Sequence, residues 1–156
     1  MDNQVFFKNY LTTCIRFRYH WTMYVKCSAY AGLQFLATLL VCTGFFVSLF
    51  SLLEVLPYLA VFFGVVVGTT TTVFLTKLYP MERLAAKHKF LSNAYVDMIP
   101  VFVQELRAKE PNTLALDLLA NKFESVAQVE KDYNLPLDQD QMTVATAKVY
   151  KETGFC

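Results

Sequence analysis

Between Lys26 and Lys77 the chain runs for fifty residues with a single charge, Glu54. An element packed in a water-soluble domain needs a polar face, and this segment has none. Glu54 divides it into uncharged runs of 27 residues, Cys27 to Leu53, and 22 residues, Val55 to Thr76. Each exceeds the roughly 20 apolar residues that carry a helix across a bilayer. The two runs are therefore read as transmembrane helices over 27–53 and 55–76. A single helix through both would be about 75 Å long and would hold Glu54 in mid-span, where a carboxylate costs about 2.5–3.5 kcal/mol. A tight hairpin with Leu53 to Pro57 at the interface avoids that cost, and proline suits the first turn of a new helix. Composition agrees, with 55% hydrophobic residues and a mean hydropathy of +0.35.

Orientation follows from the basic residues. Arg16, Arg18 and Lys26 precede the first run, Lys77, Arg83, Lys87 and Lys89 follow the second, and the connection has no basic residue. The positive-inside rule then predicts a multi-pass protein with both termini cytoplasmic and the Glu54 turn outside. Trp21, Tyr24 and Tyr79, with Arg16, Arg18, Lys26 and Lys77, are the expected interfacial anchors. The apolar run is too long and starts too late for a cleaved signal peptide, so the first helix is expected to be retained.

The flanks read as helical. In the leader, residues 1–26, Phe6, Tyr10, Phe17 and Trp21 share a face, which suits either an interfacial helix or an extension of the first span. Residues 77–137 read as a cytoplasmic helical hairpin. Its first helix carries Leu84, His88, Leu91, Tyr95 and Met98 on one face, with Pro100 kinking or dividing it. Its second is capped by Asn112 and carries Ala115, Leu118 or Leu119, Phe123, Val126, Val129 and Tyr133. The tail, residues 138–156, holds Met142, Val144, Ala145 and Val149 in a short helix that needs a partner. The expected fold is an all-α membrane protein, a two-helix transmembrane hairpin with a cytoplasmic helical hairpin, in oligomeric form.

Small residues recur every four positions along the second run: Ala60, Gly64, Gly68, Thr72 and Thr76. Gly64 and Gly68 make a GxxxG element, which lets another helix approach closely. Its partner is either the first run, through Ala37, Gly44 and Ser48, or a second copy of the chain. Thr69, Thr70, Thr71 and Thr72 surround one helical turn, and Gln34, Thr38 and Cys42 form a mildly polar stripe on the first run. Gln34, Thr38 and the four threonines are candidates to line a pore; alternatively the hydroxyls bond their own i−4 carbonyls. Neither run holds an Asp, Glu, Lys, Arg or His away from its ends, which argues against a proton relay or a charge-coupled transporter.

No catalytic motif is present, and His20 and His88, the two histidines, have no nucleophile or ligand partner nearby in sequence. They read as packed or interfacial histidines, and the chain as a non-enzyme without cofactor or metal. Cys14, Cys27, Cys42 and Cys156 have no metal-site spacing and read as buried or free thiols. A net charge of +1 with mixed signs argues against a nucleic-acid partner.

The charge-poor hairpin with Glu54-Val55-Leu56-Pro57 at its tip, the Leu84-Ala85-Ala86-Lys87-His88 to Tyr95 segment and the closing Leu135-Pro136-Leu137 resemble the SLATT-like two-transmembrane effectors of bacterial conflict and antiphage systems, over roughly residues 15 to 137. The resemblance lies in helix layout and carries over no catalytic residue. It implies a homo-oligomeric, pore-forming effector in the lipid bilayer, triggered by a cytoplasmic sensor. The aromatic leader and the tail beyond Leu137 depart from that layout. A non-conducting scaffold or regulatory subunit that recruits a cytoplasmic protein, and a holin-like protein, share the same membrane arrangement.

Overall fold

The computed structural model describes residues 3–53, 57–108 and 112–154, apart from the side chains of 3, 49, 51–53, 57, 59–61, 72 and 74–79. Among these residues every regular element is a helix: α1 (Asn3–Leu53), α2 (Pro57–Val96), α3 (Ile99–Arg107), α4 (Thr113–Asp132) and α5 (Gln139–Thr153). The leader is not a separate helix. From Asn3 it continues into the first uncharged run, since no proline or glycine interrupts the chain before Gly32. Pro57 opens α2, which also carries Pro80 in its interior, and Pro100 stands in the first turn of α3. Pro100 thus divides the predicted helix, after a turn at Asp97 and Met98. The Glu54 turn and the 109–111 connection lie outside the described residues.

Contacts fall into two units, Met1–Val25 with Ala85–Cys156, and Lys26–Leu84. In the first, the N-terminal part of α1 runs antiparallel to the end of α2 and to α3. Phe6 meets Phe102 at 5.1 Å between ring centres, and fourteen residues on His20 meets His88 at 5.2 Å. Leu91, Tyr95, Met98 and Phe102 fill the core, and α4 closes it with Leu116 and Leu119. Of the two leucines offered by the sequence, Leu119 turns inward and Leu118 is 63% exposed.

Local chemistry fixes the ends of these helices. Asn112 caps α4, its side-chain oxygen accepting from the Leu114 and Ala115 amides, while its own amide donates to Glu105 Oε2 at 3.0 Å. The α4 exit passes through Asn134 at φ 45°, a left-handed position that asparagine tolerates. Lys87 Nζ donates to the Tyr133 carbonyl at 3.4 Å and sits 5.1 Å above its ring. Asp138 caps α5, which lays Ala145 and Met142 on Tyr19 and Met23 of α1. That packing supplies the partner a fifteen-residue helix requires.

The second unit has a different surface. Leu33, Leu40, Phe50, Phe62 and Val65 are each more than 60% exposed, with many smaller apolar exposures between them. Among the described residues α1 holds one stretch, Gln4–Ser48, long and apolar enough to cross a membrane, and its most apolar window is only 6% buried. The core helix of a soluble protein would be mostly buried instead. In α2 the described apolar stretch is shorter, Phe62–Thr71.

Candidate functional site

The best-formed polar site is one that the sequence did not single out. α1 contributes Arg16, Tyr19 and His20, α2 contributes His88 and Tyr95, and α4 contributes Glu130. His20 and His88 lie 68 residues apart in sequence, yet their Nδ1 atoms are 2.9 Å apart and both rings are closed to solvent. At that distance one nitrogen donates and the other accepts, so the two Nδ1 atoms share one hydrogen. Tyr95 lies parallel to His20 at 5.9 Å, and Tyr19 presents its edge to both imidazoles.

Glu130 anchors the other side of His20. Its Oε2 accepts from the Tyr95 hydroxyl at 2.6 Å, and its Oε1 receives the Arg16 guanidinium. His20 Nε2 stands 3.4 Å from Glu130 Oε1, an ion-pair distance once the ring is protonated, without the alignment of a hydrogen bond. Burial pushes the Glu130 carboxyl upward, but the polar contacts from His20 and Tyr95 and the charge of Arg16 outweigh it and hold the group below its ordinary value. Burial, then the neighbouring His20, pulls His88 down to about 4 against a weaker opposing pull from Glu130. Burial and the Glu130 carboxylate raise the Tyr95 phenol well above its ordinary value.

Burial and the neighbouring imidazole keep His88 neutral at pH 7, so the pair is held by one shared hydrogen. His88 Nε2 and Ser92 Oγ, also buried, have no hydrogen-bond partner among the described residues. Both rings are closed to solvent, and no group of three or more metal-ligating side chains occurs among the described residues.

Arg16, an expected interfacial anchor, is about one-third exposed and pairs with the partly buried Glu130 carboxylate. Arg18 pairs with Glu152 of α5 at 2.5 Å. Trp21 is 47% exposed beside Tyr24, over whose ring Lys89 sits at 5.5 Å. The side chains of Lys77 and Tyr79, also predicted anchors, lie outside the described residues, as do those of Ala60, Thr72 and Thr76 in the small-residue ridge.

In the second unit, a Cβ on Gly64 would meet Phe45 Cζ at 3.8 Å, an ordinary contact, and one on Gly44 would meet nothing within 4 Å. The glycines therefore do not bring the two helices of this unit into close backbone approach. The hydroxyls of Thr69, Thr70 and Thr38 donate to carbonyls of their own helix, as does Ser48 to Gly44. Thr71 Oγ1 lies 3.6 Å from Cys42 Sγ, and Gln34 Oε1 is buried without a partner among the described residues. Cys14, Cys27 and Cys42 are free thiols.

One regularity marks the missed site. Phe6, Thr13 and His20 recur every seven residues along α1, and His88, Tyr95 and Phe102 do so opposite; all six are buried. Seven-residue spacing is the signature of a helix seam. Comparison with protein families, curated proteins and solved structures gives no match.

Proposed function

We propose that the chain is a non-enzymatic, two-span effector of the inner membrane, which self-associates through its hairpin and depolarises the membrane when a cytoplasmic sensor of phage infection triggers it. The apolar exposure of the second unit on both helices is the observation that carries this reading. Side chains such as Leu40 at 72% and Phe50 at 69% exposure would each forfeit about 1.5–3 kcal/mol in water, and lipid or a second copy removes that penalty. The second span comprises residues 55–76, and the seven basic residues flanking the hairpin keep the first unit cytoplasmic.

Self-association is supported at Gly44, where an added Cβ would meet nothing within 4 Å, and the antiphage role by the SLATT-like layout. Because Thr69 and Thr70 turn their hydroxyl hydrogens back to the helix, the conducting wall is chiefly apolar and opens by wetting. Titrated expression in cells carrying a voltage-sensitive dye tests the reading. Depolarisation is expected with growth arrest, and Gly64→Leu removes both; arrest at normal potential refutes conduction.

A non-conducting recruiter is the second reading. It is favoured by Leu114 and Leu118, one turn apart on α4 and 68% and 63% exposed, an apolar pair suited to a partner helix. Recruitment survives Gly64→Leu and fails with Leu118→Glu.

A further inference from the structure

Within the first unit, α1 and α5 leave an open groove of about 490 Å³. Its walls are Phe17 and Trp21 on one side and Val144 on the other, with Arg18, Lys148 and Gln141 around them. No acidic side chain lines it. Arg18 is paired with Glu152 of α5, and Lys148 makes no ion pair among the described residues. Val144 is 58% exposed, although the neighbouring Ala145 and Val149 on α5 are buried. The groove thus combines a net positive charge with an unfilled apolar wall.

We infer that this groove binds an anionic phospholipid, with Lys148 on the phosphate beside the Arg18–Glu152 pair and Trp21, Phe17 and Val144 against the glycerol and the upper acyl chains. The inference rests on the membrane reading of the second unit. Charge complementarity selects an anion, and the aromatic wall selects one that brings hydrocarbon with it. Trp21 lies six residues before Cys27, about 9 Å of helix rise from the start of the uncharged run. That is the headgroup level, where indole rings are enriched. Gln141 and the remaining Lys148 donors supply hydrogen bonds to phosphate oxygens.

Trp21 is the only tryptophan, so its fluorescence reports on this groove alone. The full chain is reconstituted in phosphatidylcholine vesicles containing the same minor mole fraction of either phosphatidylglycerol or phosphatidylcholine brominated high on the acyl chain. Brominated phosphatidylglycerol is expected to quench Trp21 as though enriched about fivefold around it, the preference one or two basic groups give at a membrane surface. Lys148→Glu and the milder Lys148→Met both bring that ratio to one, with helix content unchanged. Equal quenching by the two lipids in the unaltered protein refutes the site while leaving the membrane reading standing. Loss of the preference on adding inorganic phosphate identifies a soluble anion as the ligand and also refutes it. Failure of the protein to float with vesicles refutes the membrane reading and the lipid site together.

Discussion

Acid should loosen the first unit well before its carboxylates titrate, and His88 sets how much. In the folded chain His88 is held at about 4, below its ordinary 6.5, so the unfolded chain binds its proton more tightly. Stability from this group is therefore complete above pH 6.5 and is lost progressively as pH falls from there toward 4. Glu130 is also held low, but its contribution is lost only below the ordinary carboxylate value of 4.5. At pH 5.5 the unfolded imidazole is mostly charged and the folded one mostly neutral. The difference amounts to about 1.4 kcal/mol relative to pH 7.5. For a unit of about a hundred residues that lowers the melting temperature by about 6–10 °C. Trp21 fluorescence in a neutral detergent follows the transition, since Trp21 belongs to this unit. His88→Gln keeps a donor toward His20 and removes the titration, so its melting temperature should fall by less than half as much over the same pH step. Equal falls in the two proteins would refute the assignment of the acid sensitivity to His88.

Two further perturbations probe the same unit. Glu130→Ala leaves Arg16 and Tyr95 facing a void; because Arg16 is about one-third exposed, the loss is about 2 kcal/mol rather than the larger cost of a fully buried pair, read as a lower urea midpoint at pH 7.5. A midpoint within error of the unaltered protein would show that Glu130 does not anchor α4. Tyr19→Phe removes the hydroxyl that accepts from the Asp138 amide and donates to the Pro136 carbonyl. A loss of about 1 kcal/mol follows, with roughly fivefold faster hydrogen exchange at the start of α5 and none in α3; uniform change across the unit would place the effect elsewhere.

Elements defined by local chemistry were legible in the sequence. The face carrying His88, Leu91, Tyr95 and Met98 is buried as its spacing implies, and Asn112 caps α4 because a side-chain oxygen at that position meets amides two and three residues on. The histidine cluster was not legible for two reasons. The spacing of three and four puts His88 on the buried face of α2, but a periodicity says nothing of what a buried side chain meets. Its partners also come from α1 and α4, so no window of sequence contains them together. A count of basic residues also says nothing of the Glu130 carboxylate that the fold brings to Arg16.

The Arg18–Glu152 pair spans 134 residues, and Tyr19 waits for Pro136 and Asp138. During synthesis, therefore, the leader leaves the ribosome long before any of its partners exist. Residues 26–84 emerge in between, so the buried face of the leader, Phe6, Thr13 and His20, spends most of translation exposed. Its assembly waits for the far end of α2 and for α3, and a stall before His88 and Phe102 emerge releases a nascent protein with that face uncovered, a natural substrate for chaperones and proteases.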